Sequence, residues 1–406
     1  MILNKKAALA GLAVIAAVTL AISGCSSSGS TTATGAASTS PGKCTTRFLY
    51  VTNVTGSGSI NGTSNVPGIK VAQDFVNSHG GVLGCKLQVD VKDDGSDYTK
   101  DLPLVQQSLA QNTYVDVDVS DFGCASAAPF VTRAKILGVF SCGVQGLDDP
   151  KTNPYLFDTV INSADSMAKL GTYAVDKGAK KVAIVGDTSA VGQTSIAETK
   201  TAVQKAGGTV SDTESVDLSS VNMTPVVQRL QASGADTLVV NLFGAAAGYF
   251  FRDLDSSGWK VKKYGSTSVF ASNVTTLDSA AAVKGLTLLG PTVSTSPTLV
   301  PVVDTFIKDV KKSTAIGQSL ALYAQANDAV IIAAFGINGA KSSDAAKVAL
   351  YLSQNGSKTV PGLSQSTTTN YSATNHEAHF KKGLGIVPVG PLVDGRYSGR
   401  TSVLNG

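Results

Sequence analysis

The chain has 406 residues, of which 43% are hydrophobic and 15% charged. That length exceeds the roughly 250–300 residues at which a single core stops growing, so two domains are expected. The formal charge is +4; setting aside Lys5 and Lys6 leaves 31 basic against 29 acidic residues, a balance without the basic stripe that nucleic acid requires.

Lys5 and Lys6 precede a nearly unbroken apolar run over residues 7–22. The run is short for a membrane span and suits a secretory signal, so residues 1–24 are expected to be a signal peptide. Ile22-Ser23-Gly24-Cys25 matches a lipobox. Cys25 is therefore expected to carry lipid and hold the mature chain on the outer face of a membrane. Residues 25–43 read as a Ser/Thr/Gly-rich tether, with a span on the order of 25 Å.

Strands and helices then alternate. Residues 47–53 read as a strand and 68–78 as a helix with Ile69, Ala72, Phe75 and Val76 at helical spacing, stopped by Gly80-Gly81. Residues 86–91 form the next predicted strand and 102–110 the next helix. Strands are expected at 114–119 and 135–140, with a short helix near 129–134 between them. After Asn153-Pro154 a second series begins: helix from Ser163, strand 181–185, helix 194–206, a helix opened by Thr224-Pro225, strand 236–242, helix 246–256, and strand 262–269. A strand at 285–289 precedes helices at 301–312, 319–337 and 342–353. The tail is Thr/Asn/Gly-rich, with a strand-like piece at 385–389. Repeated βα units mean parallel sheets covered on both faces, here as two doubly wound α/β lobes.

With Cys25 lipidated, four cysteines remain for an oxidising compartment. Cys44 and Cys85 each precede a predicted strand, whereas Cys124 and Cys142 each follow one. Starts of parallel strands share one edge and ends share the other. Cys44–Cys85 and Cys124–Cys142 can therefore pair, while crossed pairings would span a strand length, beyond the roughly 4.4–6.8 Å that a disulfide allows between Cα atoms.

Several stretches resemble the branched-chain amino-acid-binding family, the type I periplasmic binding proteins of ABC transporters. They are Gly68-Ile69-Lys70-Val71-Ala72 through Val76-Asn77-Ser78-His79-Gly80-Gly81-Val82-Leu83-Gly84, then Val91-Lys92-Asp93-Asp94-Gly95, Asn153-Pro154-Tyr155-Leu156-Phe157, Lys180-Lys181-Val182-Ala183-Ile184-Val185 with Gly192-Gln193, and Gly234-Ala235-Asp236-Thr237-Leu238-Val239. The resemblance implies two lobes joined by three crossovers, with residues 44–159 plus 291–372 in one and 160–290 plus 373–406 in the other. Ligand is expected in the cleft at the carboxyl ends of the strands, trapped by closure.

The loops at those ends supply the candidate site. Ser57, Gly58 and Ser59 follow the first strand, Phe122, Ala125 and Ser126 the third, and Gly143 and Val144 the fourth. Ala125-Ser126 and Gly143-Val144 are nearest to the positions with which the family holds a ligand's polar end. Val191, Asn241, Phe243 and Phe270 come from the second lobe. Many relatives have an aromatic where Val191 stands. No second-lobe carboxylate is securely placed for an ammonium; Asp187 is the nearest, with a solvent-facing position open to it. The three phenylalanines suit an apolar or aromatic body.

The expected function is capture of a small polar or amphipathic molecule (amino acid, amide or aromatic acid) for an ABC permease. The protein is expected to be a monomer, without cofactor, metal or catalysis. A ligand-sensing surface receptor would use the same lobes. A secreted hydrolase would need a histidine at the cleft, yet His79, His376 and His379 are the only ones and none sits at a predicted cleft loop. Gly56-x-Gly58 with Gly62 lacks dinucleotide spacing, and Gly186 to Gly192 is a residue too long for a phosphate loop and is followed by Gln193. Asp121-Phe122-Gly123 lacks every other kinase element. His376-Glu377-Ala378-His379 lacks zinc-protease spacing and reads as a solvated face.

Overall fold

The computed structural model describes residues 42–120, 123–378, 383–397 and 402–403. The signal peptide, Cys25, nearly all of the tether, Phe122 and His379 lie outside the described residues.

The first series runs β1 (Gly42–Thr52), α1 (Ile60–Ser78), β2 (Cys85–Asp93), α2 (Asp101–Gln111), β3 (Asp116–Val119), α3 (Cys124–Ala134), β4 (Leu137–Phe140) and β5 (Leu156–Asp158). Its strands form one parallel sheet in the order β2-β1-β3-β4-β5. β1 shows why both faces are covered. Phe48 and Tyr50 enter one core while Leu49 and Val51, on the opposite face, enter another. A strand apolar at every position cannot leave either face to water.

The second series runs α4 (Ser163–Asp176), β6 (Lys181–Asp187), α5 (Ala190–Lys205), β7 (Thr209–Val216), α6 (Thr224–Ala232), β8 (Thr237–Asn241), α7 (Ala245–Ser256), β9 (Lys262–Gly265), α8 (Thr267–Ala271), α9 (Val274–Leu277), β10 (Leu286–Pro291) and α10 (Thr292–Thr295). The chain returns to the first lobe for α11 (Pro301–Lys311), α12 (Leu320–Ala340) and α13 (Ala345–Gln354). It ends in the second with β11 (Leu384–Pro388), β12 (Leu392–Val393), β13 (Arg396–Tyr397) and β14 (Ser402–Val403). The second sheet has the order β14-β11-β10-β9-β8-β6-β7, and β11 pairs antiparallel with both neighbours. The backbone therefore passes between the sheets after β5, after β10 and before β11.

Several expectations shift. Gly42 and Lys43, read as tether, begin β1. α1 starts at Ile60, eight residues before the predicted start, because a Gly/Ser/Asn-rich stretch hides its first turns; Pro67 lies inside it. α3 and α5 also begin earlier, at Cys124 and Ala190. The strand expected over 262–269 stops at Gly265, where Ser266 accepts from the N–H groups of Ser268 and Val269 and caps α8. β7, a polar edge strand, gave no apolar run to read. Residues 376–378 run beside β5, with Asp158 N–H donating to His376 O at 2.9 Å and Ala378 N–H to Asp158 O at 2.9 Å. The third crossover thus follows Ala378, and His376 and Glu377 are buried at 3% and 5% exposure rather than solvated. His376 stacks on Phe157 and binds Leu156 O through Nδ1.

α12 is long and apolar enough to cross a membrane, yet it is buried in the first lobe. It packs on α1 so closely that a Cβ at Gly68 would lie 2.2 Å from Tyr323 O. Gly68→Ala must therefore push the helices apart. It is expected to cost about 1–3 kcal/mol, measured by urea unfolding; an unchanged midpoint would show that the helices do not meet there.

Candidate functional site

A cavity of about 140 Å³ lies between the lobes. At about 10–15 Å³ per water, that is room for on the order of ten waters, the scale of one small molecule. All three crossovers form part of its wall, through Thr159, Val160 and Ile161, through Pro291, and through Gly383 and Leu384. From the first lobe come Asn61, Tyr98, Ser120 and the turn Ser141-Cys142-Gly143, with Ala321, Leu322 and Gln325 from the first turns of α12, and Gln365. The second lobe contributes Ser163, Phe243, Thr267, Ser268, Phe270 and Ala271. Among the described residues no ionisable carboxylate, lysine, arginine or histidine lines it.

The sequence-derived candidates divide. Gly143, Phe243 and Phe270 line the cavity. Ser57, Gly58, Ser59, Ala125, Ser126, Val144, Val191 and Asn241 are not in its wall. Ser57 faces the second lobe, where a Cβ on Gly244 would meet its carbonyl oxygen at 2.9 Å. Gly58 N–H donates to Ser96 Oγ, and Ser59 directly precedes α1. Ala125 and Ser126 are exposed on the first turn of α3, and Val144 packs against the core containing Leu49 and Val51. Val191 is buried in α5; Asn241 is buried at the end of β8, its Oδ1 without a hydrogen-bond partner among the described residues. Asp187 is buried rather than solvent-facing, accepts from Ser189 N–H at 2.9 Å, and lies outside the wall.

The polar lining is held from behind by buried carboxyl groups. Thr159 Oγ1 donates to Ser141 Oγ at 2.9 Å, and Ser141 Oγ to Asp118 Oδ2 at 3.2 Å. Burial, and then the neighbouring Asp116, hold Asp118 well above the ordinary carboxyl range. Asp116 is raised by burial too. Asp328 accepts from Ser364 N–H and Oγ at 2.7 Å each, and from Gln365 N–H and Nε2 at 3.2 and 3.3 Å. One N–H of the Gln365 amide is thereby taken, which orients the amide and leaves its carbonyl oxygen and second N–H for a guest. Burial lifts Asp328 to about 6. Asn65 Nδ2 donates to Ser120 Oγ at 3.0 Å and to Thr52 Oγ1 at 3.1 Å.

The second half of the lining was hard to foresee because it belongs to segments read as connectors or core. Sequence reading gives the crossovers near 159, 291 and 372 as connections about which the lobes close, not as walls. Ser319 before the apolar run marks the start of α12, whose first turns reach the wall through Ala321, Leu322 and Gln325.

Residues 45–380 match a family described as periplasmic binding protein. The chain belongs to the periplasmic binding protein family. That membership places it outside the cytoplasm among solute-binding proteins. A Pseudomonas aeruginosa protein described as an amino acid binding protein is 23% identical over 318 residues, spanning 76% of this chain and 82% of that one. The type 1 periplasmic binding protein of Bordetella pertussis superposes with a TM-score of 0.78 at 17% identity, over 89% of this chain and all of its own. A Rhodopseudomonas palustris solute-binding protein of an ABC transporter, solved with 3,4-dihydroxybenzoic acid, gives 0.75 at 19% identity over 88% and 96%. A Streptococcus pneumoniae branched-chain amino acid transporter binding protein, solved with isoleucine, gives 0.74 at 18% over 89% and 100%. These structural likenesses show the fold of this periplasmic binding protein.

The Cys124–Cys142 bridge, with a sequence separation of 18, ties the start of α3 to the cavity turn. Replacing both cysteines by serine is expected to cost roughly 3 kcal/mol in chemical unfolding; no loss would mean that the bridge does not restrain the chain. Burial raises the carboxyls of Asp116, Asp118, Asp158, Asp328 and Glu377, with Asp158 at about 7 and Glu377 at about 8. The folded state therefore binds more protons than the unfolded one above the ordinary value of 3.8 for aspartate, and stability falls as pH rises from there towards neutrality. Hydrogen-bonded surface carboxyls such as Asp97 and Asp217 are lowered and act oppositely below that range. The midpoint temperature is expected to peak on the acidic side; a peak at neutral pH would contradict the burial of these groups.

Proposed function

We propose that this protein is a lipid-anchored receptor that captures one small amphipathic molecule in the cavity between its lobes and delivers it to an ABC permease. The observation that carries this reading is a cavity whose wall draws on both lobes and every crossover at once. A guest there touches the parts that must move together, so its binding energy favours the closed form. Lobes built from residues 44–159 plus 291–372 and from 160–290 plus 373–406, adjusted so that 373–378 stay with the first, would close about those crossovers. Cys25 and the Ser/Thr/Gly-rich stretch behind it would hold the receptor, as a monomer, near its permease.

The lining also narrows the guest. Phe243 and Phe270 offer an apolar, ring-sized face, while hydroxyls and the Gln365 carbonyl oxygen offer neutral hydrogen bonds. A single-ring carboxylic acid or phenol, or an apolar amino acid or its amide, matches that division. The relatives solved with 3,4-dihydroxybenzoic acid and isoleucine span the same classes. Within this range, an aromatic hydroxy acid is favoured: its hydroxyl donates to an acceptor such as Gln365, and no carboxylate in the described wall awaits an ammonium.

The test is a thermal-shift screen of aromatic acids, amino acids and amides, followed by calorimetry. A hit is expected, and Phe243→Ala, at a half-buried position, should weaken it by roughly ten- to a hundredfold with the unliganded melting temperature kept. An unchanged affinity for Phe243→Ala, or a screen without any stabilising compound, would contradict the proposal.

A further inference from the structure

Asp158 is the last residue of β5 and the first step of the first crossover. Its side chain is fully buried and carries three backbone hydrogen bonds. Gly143 N–H donates to Oδ2 at 2.8 Å, Cys142 N–H to Oδ1 at 3.3 Å, and Val160 N–H to Oδ1 at 3.0 Å. Cys142, Gly143 and Val160 all line the cavity. Gly143 has φ of +62°, so its turn is shaped for glycine and depends on partners to stay closed. Its own carbonyl accepts from Ser163 N–H at 2.8 Å, which extends the link to the first turn of α4. The main chain of Asp158 meanwhile binds residues 376–378, the approach to the third crossover.

We propose that the Asp158 carboxylate is a proton-operated clasp: ionised, it holds the Cys142-Gly143 turn and the first crossover together as one cavity wall, and protonated, it lets them part. A carboxylate offers lone pairs enough for three N–H donors, whereas a carboxylic acid turns one oxygen into a donor that faces them. The surroundings put the switch within reach. Burial is the main cause that lifts Asp158 to about 7, against the pull of those N–H groups, and Asp148 adds to the rise. The other titratable groups facing it are Asp118 on β3, Glu377 on the segment beside β5 that precedes the third crossover, and Tyr371, whose hydroxyl donates to Asp158 O at 3.1 Å. His376 lies on the adjacent segment and is lowered by burial, while Asp165 stands on α4. No lysine or arginine among the described residues forms an ion pair with Asp158. Glu377 is raised to about 8 by burial and then by Asp158, and it accepts the N–H of Asn162, so the segment before the third crossover is tied to the N-cap of α4.

The consequence for binding rests on the reading of the cavity as the ligand site: affinity falls as pH drops through neutrality. Fold stability moves the other way over the same range, because protonation relieves a buried charge. Weaker binding at acid pH therefore does not come from a weaker fold.

The test needs no ligand. Amide resonances of Gly143 and Val160 in the isotope-labelled protein are followed between about pH 5.5 and about pH 8.5, the range that brackets the raised group. Both are expected to move together with a midpoint at about 7, and Gly143 exchange with solvent deuterium should quicken on the acid side beyond the intrinsic pH effect. Asp158→Asn abolishes the shared titration. Glu377→Gln keeps it with the midpoint little moved, because Glu377, raised to about 8, is still largely protonated where Asp158 titrates. Flat resonances in the unaltered protein, or a titration that persists in Asp158→Asn, would overturn the proposal. A failed ligand screen would sink the receptor reading and leave this titration standing.

Discussion

Both sheets of this protein are covered on both faces, and that constraint decides where anything can bind. β1 sends Phe48 and Tyr50 into one core and Leu49 and Val51 into another. β6 does the same with Ala183 and Val185 against Val182 and Ile184. Such strands have no free face, so the only backbone not already committed lies where the strands end. Two sheets joined by three crossovers bring their open ends together, and the cavity forms there.

The cavity is lined by neutral groups, yet carboxyl groups lie just behind it. Asp118 supports Ser141, Asp328 supports Gln365, and Asp158 supports the Cys142-Gly143 turn. Each is buried and each is raised by that burial. Direct ionised contacts would demand a guest of opposite charge, with a desolvation cost on both sides. A hydroxyl or amide oriented from behind gives direction without that cost. The arrangement trades some stability at neutral pH for a defined polar surface.

The fold was largely legible because apolar alternation and Gly-terminated helices recur along the chain. Both disulfides followed from strand ends alone, and the structure contains Cys44–Cys85 and Cys124–Cys142. The site was legible only in part. Gly143 and Phe243 could be found because they come just after apolar strands, whereas Phe270, expected at the end of a strand over 262–269, reaches the wall from α8. Loops after strands were expected to reach the ligand, but early helix starts at Ile60, Cys124 and Ala190 draw Ala125, Ser126 and Val191 into helices. First turns built of small and polar residues conceal such starts from any apolar periodicity. His376 and Glu377 misled for a related reason: a Thr/Asn-rich context suggests solvent, whereas pairing beside β5 buries them. Long-range pairing of that kind leaves no local trace.

The central claim is that a single small molecule in this cavity draws the lobes together. Small-angle X-ray scattering of the purified protein, with and without the compound that stabilises it, reads that motion directly. The account predicts a smaller radius of gyration with the compound than without it. Identical profiles in the two states, with calorimetry showing the site filled, would contradict it.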